Sequence, residues 1–233
     1  MIFRYNNRDR EVAAWKITRM IISTGRIFIC ISIKDVSHQH RHGASGAVHE
    51  GQKGERVLDI GTNNGALLLA AHRYAPSYLY GIDIQPEAIA VAEKNMEHHH
   101  ITNVVLMAQD ICDAALEKVD VIVCNPPYFK VDQESNLNES QSLQMARHER
   151  FLTLRTLCQR VSELLDEKGR FYMVHRASRI SEIAYTLKQH RLEIRTLQFV
   201  YDANREEAVS VLVEAVKDGR VNAHVLLPQI IER

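Results

Sequence analysis

The sequence lacks any apolar run long enough to cross a membrane. Its longest run, Ile27–Ile33, has seven residues and includes Ser32, whereas a membrane-spanning helix needs about 20 apolar residues. The first ten residues, Met1–Arg10, are polar and hold no hydrophobic segment of the kind that a secretory signal carries. We therefore expect an intracellular, cytoplasmic protein that makes no contact with a membrane.

Cysteines are few and scattered along the chain. The four are Cys30, Cys112, Cys124 and Cys158, and no pair has the C-x-x-C spacing that is typical of zinc sites and redox motifs. This pattern indicates reduced thiols, and we expect the protein to bind no metal.

Net charge is absent too, because 29 Lys and Arg residues balance 29 Asp and Glu residues. A neutral protein is poorly suited to coating nucleic acid non-specifically. The charges are nevertheless uneven: cationic residues outnumber acidic ones seven to two in Met1–Lys34 and eight to four in Met145–Arg179, while acidic residues lead seven to two in Ile101–Met145. Two basic regions around an acidic one suit a polyanion held beside a site for a cation. Ordinary solvated helix faces would give the same counts.

Short apolar runs alternate with helical patterns after Gly54, in a chain whose 45% apolar and 25% charged residues are average for a globular protein. The runs predict strands at Arg56–Ile60, Tyr78–Asp83, Val104–Ala108, Val119–Cys124, Arg170–Val174, Ile194–Tyr201 and Ala208–Val216. The helices are predicted at Ala66–Tyr74, Glu87–His98, about Met145 to Asp166, and Ser178–His190. No helix separates the last two strands, so they form an antiparallel hairpin. The pattern predicts a doubly wound α/β fold with about seven mostly parallel strands.

Residues 1–54 follow a different pattern. A strand is expected at Ile27–Ile33 and a short amphipathic helix at Glu11–Ile22, followed by a loop at Ser37–Gln52 that is rich in Gly, Ser and His. The alternating histidines at 38, 40 and 42 are expected in a solvated loop, because Asp35 is the only acid nearby. We predict a basic, histidine-rich and partly disordered segment at 1–54 and one domain at 55–233.

Three aspartates lie at the ends of three successive predicted strands. Asp59 opens a glycine turn, Asp59-Ile-Gly61-Thr-Asn-Asn-Gly65, that leads into a helix; Asp83 ends the next strand and Asp110 follows the third. A glycine turn lets a ligand approach the backbone, and a carboxylate at the second strand end can accept both hydroxyls of a ribose. Three carboxylates at neighbouring strand ends would repel a phosphate group. They would favour S-adenosylmethionine, which carries a sulfonium and an ammonium group and has no phosphate.

The motif Asn125-Pro126-Pro-Tyr128 directly follows the fourth strand. The side-chain oxygen of Asn125 and the carbonyl of Pro126 can accept both hydrogens of a planar NH2 group, and Tyr128 offers a ring on which a base can stack. The lone pair of such a nitrogen is delocalised, so holding both hydrogens helps the nitrogen to become pyramidal as it attacks a methyl donor. This pattern predicts transfer of a methyl group to an amine.

The combined motifs resemble the class I, S-adenosylmethionine-dependent methyltransferases, which are Rossmann-like proteins. Further segments are similar to the bacterial tRNA (adenine-N6)-methyltransferases that act on the adenine beside the anticodon, position 37, of valine tRNA: Asn125–Phe129, Met145–Glu149, Phe171–Arg176 and Val216–Arg220 with Leu227-Pro228. The resemblance extends over about Gly54 to Arg233.

The resemblance implies a role for each matching residue. Asp59, Gly61 and Gly65 would form the cofactor loop, Asp83 would bind the ribose, and Asp110 would lie at the cofactor's adenine amine. Asn125, Pro126 and Tyr128 would hold the target adenine, and we expect Phe129, Arg147 and Arg150 to contact the tRNA. Two features depart from the family: Asn63 replaces a frequent glycine, and the N-terminal segment does not match.

Two alternatives remain open at this point. The Asn-Pro-Pro-Tyr motif is shared with methyltransferases that modify a protein glutamine or an rRNA guanine. A non-catalytic RNA-binding module on a methyltransferase fold would account for the unusual N-terminus, although the intact motifs argue against it. The sequence leaves open whether the protein is a monomer or a weak dimer.

Overall fold

The computed structural model describes residues 15–23, 26–33, 54–125 and 152–231. The chain divides into two compact units, Met1–Gln52 and Lys53–Arg233. In the first unit, strand β1 (Trp15–Ser23) pairs antiparallel with β2 (Arg26–Ile33). The predicted strand at Ile27–Ile33 is therefore confirmed.

The predicted helix at Glu11–Ile22 is wrong, because its described part belongs to β1. The segment Ile17–Ile22 holds Ile and Thr side chains, which are branched at Cβ and favour a strand once a neighbouring strand is available. The histidines at 38, 40 and 42 lie outside the described residues.

The second unit alternates strands and helices before it ends in consecutive strands. In chain order its elements are β3 (Arg56–Ile60), α1 (Ala66–His72), β4 (Tyr78–Asp83), α2 (Pro86–His98), β5 (Val104–Ala108), β6 (Val119–Cys124), α3 (Leu154–Leu164), β7 (Leu165–His175), α4 (Ile180–Gln189), β8 (Leu192–Asp202), β9 (Ala208–Lys217), β10 (His224–Val225) and β11 (Gln229–Ile231). The four strands predicted before residue 125 have the predicted bounds.

The strands form one sheet in the order β10-β8-β9-β7-β6-β3-β4-β5, with β11 also on β8. Strands β3 to β7 are mutually parallel, whereas β9 is antiparallel to both β7 and β8. The mostly parallel sheet with an antiparallel C-terminal hairpin is thus confirmed. Among the described residues the sheet has nine strands rather than about seven, because the short β10 and β11 extend it along β8.

The helix predicted from Met145 to Asp166 ends earlier than expected. Thr153 caps α3 by accepting a hydrogen bond from the backbone N–H of Thr156 at 3.1 Å, and β7 begins at Leu165. Residues 166–169 face no partner on β6, where Val119 lies opposite Leu165 and Val121 opposite Arg170. The preceding part of the predicted helix, residues 145–151, lies outside the described residues.

The core lies between the sheet and the helices. Leu157, Val161 and Leu164 form a buried stripe on α3, and they belong to one core cluster with side chains of β7 and α4. Burying such a stripe is the main source of stability for a helix of this length. No helix within the described ranges is long and apolar enough to cross a membrane.

Candidate active site

The carboxyl ends of four adjacent strands meet at one edge of the sheet. Ile60 lies opposite both Ile82 and Cys124, and Asp83 lies opposite Ala108. The polar residues at or just beyond these ends therefore follow one another across the edge, in the order Asp110, Asp83, Asp59 and Asn125. Open α/β sheets bind their ligands at this edge, and we call it the carboxyl edge.

The glycine turn after β3 adopts a backbone that requires glycine at two positions. Gly61 has φ 73° and Gly65 has φ 78°, in the left-handed region that strains other residues. A Cβ at Gly61 would meet no atom of the described residues within 4 Å, whereas one at Gly65 would lie 2.8 Å from Cε of Met96. Gly61 therefore leaves open space above the turn, and Gly65 lets α1 begin close against α2. Asn63, where the family often has glycine, takes φ 50°.

The carboxylate of Asp83 connects the turn to the second strand. Its Oδ2 accepts the backbone N–H of Asn63 at 2.9 Å, and its Oδ1 accepts the N–H of Gln85 at 3.0 Å. Each oxygen keeps a further lone pair for a ligand hydroxyl. The turn itself is held to β4 by the N–H groups of Gly61 and Thr62, which both donate to the carbonyl of Ile82, at 2.8 and 3.0 Å.

The carboxyl group of Asp59 is fully buried, and only one of its two oxygens has a hydrogen-bond partner among the described residues. Thr62 donates its hydroxyl to Oδ2 of Asp59 at 2.8 Å, while Oδ1 has no hydrogen-bond partner among the described residues. Burial raises the pKa of Asp59 to about 7, against the lowering effect of the Thr62 hydrogen bond, and the charge of Asp83 raises it further. A buried carboxylate oxygen without a partner is costly, so it favours a ligand that brings a donor or a positive charge.

This burial predicts a measurable pH dependence of stability. The pKa of Asp59 is about 7 when folded and about 3.9 when unfolded, so between those values the folded chain holds a proton that the unfolded chain lacks. The free energy of unfolding therefore falls as the pH rises through this window. We expect Asp59→Asn, which cannot ionise, to be more stable than the wild type above pH 7 by at least about 1 kcal/mol. Urea unfolding from pH 4 to 8 measures the difference, which should vanish near pH 4; a difference independent of pH would contradict this assignment.

The segment after Asp110 is held by an arginine from α3. Oδ1 of Asp110 accepts the N–H of Cys112 at 2.8 Å. Arg160 donates to the carbonyls of Ile111 and Ala114, at 3.1 and 2.9 Å, and pairs with Glu163 at 2.5 Å. Sequence reasoning placed Arg160 only in a general basic region. The two carbonyls are 49 and 46 residues away, and no local signal would have revealed this contact.

Acidic neighbours neutralise part of the basic region Met145–Arg179. Besides Arg160, Arg170 pairs with Glu55, and Arg179 donates twice to Glu182, at 2.7 and 2.6 Å. The described part of the region therefore offers fewer unpaired cations to a polyanion than its composition indicates.

Asn125 is half-buried and lies directly beyond β6. The neighbouring strand β7 continues past it, because Cys124 lies opposite Met173 and β7 ends at His175. The other residues that sequence reasoning assigned to the target base and the tRNA lie outside the described residues: Pro126, Tyr128, Phe129, Arg147 and Arg150.

His175 is a buried residue at the same edge to which sequence reasoning gave no role. Its Nδ1 accepts the N–H of Arg176 at 2.8 Å, and its Nε2 lies 3.4 Å from Nη1 of Arg179. Burial, reinforced by the charge of Arg179, lowers its pKa to about 4. The imidazole is therefore neutral at physiological pH and adds no positive charge to the carboxyl edge.

Comparisons with known proteins agree with this geometry. A family model described as "Methyltransferase domain" matches residues 51–213. The chain belongs to this methyltransferase family. A relative from Porphyromonas gingivalis named tRNA1(Val) (adenine(37)-N6)-methyltransferase is 34% identical over 157 residues, which make up 61% of this chain and 60% of that protein.

Two further comparisons bear on the activity and the fold. A release factor glutamine methyltransferase from Streptococcus pneumoniae is 27% identical over 158 residues, 64% of this chain and 56% of that protein. A solved structure, of a predicted O-methyltransferase from Agrobacterium tumefaciens, matches with a TM-score of 0.59 at 17% identity and covers 78% of this chain and 84% of that one. This last likeness is one of fold, and it confirms the Rossmann-like class I architecture. The matched part of this methyltransferase spans less than two thirds of both curated relatives.

Proposed function

We propose that this methyltransferase transfers a methyl group from S-adenosylmethionine to the exocyclic N6 amine of an adenine in tRNA, the adenine beside the anticodon of valine tRNA. The observation that carries the proposal is the carboxyl edge, where three aspartates lead across adjacent strands to Asn125. The relatives named as tRNA1(Val) (adenine(37)-N6)-methyltransferases support the choice of substrate.

The described residues fit the cofactor by their chemistry. Among the described residues, one buried oxygen of Asp59 has no hydrogen-bond partner and the space beside Gly61 is open. Asp83 would accept the two ribose hydroxyls on the lone pairs that its backbone hydrogen bonds leave available, and Asp110 would accept from the adenine amine. Carboxylates suit a ligand that carries two positive charges and no phosphate. The group supplies an electrophilic methyl on a cationic sulfur.

The chain's own residues would prepare the amine. Asn125 and Pro126 would accept the two hydrogens of the amine, so that the nitrogen lone pair points out of the plane of the base. Tyr128 would stack on the base and so offset part of the free energy needed to unstack the base from the RNA. Bound S-adenosylmethionine would supply the methyl group for the new bond to N6, and N6 would release its surplus proton to solvent. Preorganised acceptors stabilise the charge that develops on the nitrogen, so no strong base is needed.

The alternative amine substrate, a protein glutamine, is less favoured than an adenine in tRNA. One relative, named release factor glutamine methyltransferase, aligns with 64% of this chain at 27% identity, against 34% for the relative named tRNA1(Val) (adenine(37)-N6)-methyltransferase. The same pair of acceptors would hold a glutamine amide as readily as an adenine amine.

Methyl transfer to tRNA tests the proposal directly. We expect the protein to methylate unmodified valine tRNA, and to leave unmethylated both the same tRNA with guanosine in place of the target adenosine and a purified release factor. Incorporation of a radioactive methyl group measures all three substrates in parallel. Transfer to the release factor but not to the tRNA would reverse the assignment, and failure to bind S-adenosylmethionine in a calorimetric titration would exclude both.

A further inference from the structure

A cavity of about 250 Å³ lies far from the carboxyl edge and plays no part in the proposed chemistry. It is lined by Lys168, Glu193, Arg195, Val216, Gly219 and Arg220, and we call it the corner cavity. Strands β7 and β8 run parallel, so Lys168 and Arg195, near their amino ends, lie towards the edge opposite the carboxyl edge. Seven residues separate Lys168 from His175 along β7, a distance of about 20 Å at roughly 3.3 Å per residue.

Two of the three cationic residues of the corner cavity, Lys168 and Arg195, lie where the backbone departs from regular β-sheet geometry. Lys168 lies in the four-residue excursion of β7 that has no partner on β6, and its φ is 61°. Arg195 lies in an irregularity of β8, between Ile194 opposite Ala215 and Thr196 opposite Glu214. Such bulges redirect one side chain and occur often beside functional sites.

Arg220 follows a tight turn that is held in place by neighbouring segments. Asp218 has φ 52°, its N–H donates to the carbonyl of Arg191 at 2.8 Å, and its side chain accepts from Nε of Arg191 at 2.7 Å. A Cβ at Gly219 would lie 3.0 Å from the carbonyl oxygen of Val216 and 3.2 Å from Cβ of Glu193. The turn therefore packs closely on β8 and holds Arg220 beside the cavity. Three residues near the corner cavity have left-handed backbone conformations, which are unfavourable for residues other than glycine: Lys168, Arg191 and Asp218. Such strained residues are common at ligand-binding sites.

The charge of the corner cavity is positive. Three cationic residues line it against one acid, Glu193, and Glu193 is already paired with Lys188 of α4. Lys168 donates to a backbone carbonyl, that of Asp218, so its own charge is not cancelled. Within the part of the chain that the structure describes, no acidic side chain pairs with Arg195 or Arg220.

We propose that the corner cavity binds a backbone phosphate of the tRNA, in a part of the RNA remote from the target adenine. Guanidinium groups bind phosphate oxygens in pairs of parallel hydrogen bonds, and Arg195 and Arg220, which pair with no acid among the described residues, both line the corner cavity. A distance of about 20 Å from the carboxyl edge exceeds the span of one nucleotide, so a folded RNA would bridge the two sites. This inference rests on the proposed function for the identity of its ligand.

The test compares two double variants of the full chain. Arg195→Ala with Arg220→Ala removes the two unpaired cations of the corner cavity. The control, Arg73→Ala with Lys94→Ala, removes two exposed charges at the end of α1 and on α2. Binding of unmodified valine tRNA is measured over a salt series, and the logarithm of affinity is plotted against the logarithm of salt concentration.

We expect the corner variant to have a slope shallower than the wild type by about one to two units and an affinity lower by roughly tenfold at low salt. The control should keep the wild-type slope, and both variants should keep the wild-type affinity for S-adenosylmethionine. Equal slopes for all three proteins would overturn the proposal. This holds even if inorganic phosphate raised the unfolding temperature of the wild type, because the corner cavity would then bind free phosphate and not the tRNA. A slope change in a protein that methylates no tRNA would contradict the proposed function and leave the RNA site in place.

Discussion

Asn125→Ala is expected to reduce the rate of methyl transfer by at least about 100-fold, as the loss of one oriented polar group often does. Asn125 is half-buried at the end of β6, and in the proposed mechanism its side-chain oxygen accepts one hydrogen of the target amine. Alanine leaves the amine planar and its lone pair delocalised. Because the three aspartates follow other strands, the affinity for S-adenosylmethionine should stay close to that of the wild type. Single-turnover methylation of tRNA and calorimetry measure the two quantities.

The control for this variant is Asn222→Ala, the same substitution at an exposed position beyond β9. It should methylate tRNA at the wild-type rate. Thermal unfolding of both variants shows whether the fold is kept. If Asn125→Ala folded normally and methylated tRNA at nearly the wild-type rate, the amine would not be held by Asn125.

Asp83→Ala should weaken S-adenosylmethionine binding by about 1.5–3 kcal/mol, the range of charge-assisted hydrogen bonds, or roughly 10- to 150-fold in Kd. Two effects act together in this variant. The ligand loses the acceptors for its ribose hydroxyls, and the N–H groups of Asn63 and Gln85 lose the carboxylate that orders the glycine turn.

Further variants separate the two effects of Asp83. Asp83→Asn keeps one acceptor oxygen but has no charge, so its affinity should fall between those of the wild type and the alanine variant. Glu93→Ala, an exposed acid on α2, serves as the charge-matched control and should bind like the wild type. Calorimetry measures the Kd of S-adenosylmethionine for the wild type and the three variants. An unchanged Kd for Asp83→Ala would show that Asp83 does not bind the cofactor.

Local sequence was a good guide wherever structure depends on neighbours along the chain. The four strands between residues 56 and 124 are short, apolar and bounded by residues such as Gly, Asn or Asp, and all four have their predicted bounds. The helix predicted at Glu87–His98 is α2, and its residues Ile89, Ala92 and Met96, which are three or four positions apart, are all buried. The helix predicted at Glu11–Ile22 was wrong because a pairing partner, β2, decides the conformation of residues with weak helix preference.

The residues of the candidate site could be predicted from local sequence, but their arrangement relative to one another could not. Sequence placed Asp59, Asp83, Asp110 and Asn125 at strand ends, because an alternating pattern and a turn residue are visible within a few positions. The roles of these residues remain predictions. The strand order that makes them neighbours across one edge depends on pairings between distant segments, such as β3 with β6.

Between residues 56 and 124, periodicity and turn chemistry along the chain were sufficient to predict the strands, the helices and the motifs at their ends. Which polar groups are buried, and which groups they contact, followed from the packing alone. The oxygen of Asp59 without a hydrogen-bond partner among the described residues, the contacts of Arg160 with the segment after Asp110, and the three cationic residues of the corner cavity all depend on residues far apart in the chain. Burial and long-range hydrogen bonds depend on packing in three dimensions, and no short window of sequence records them.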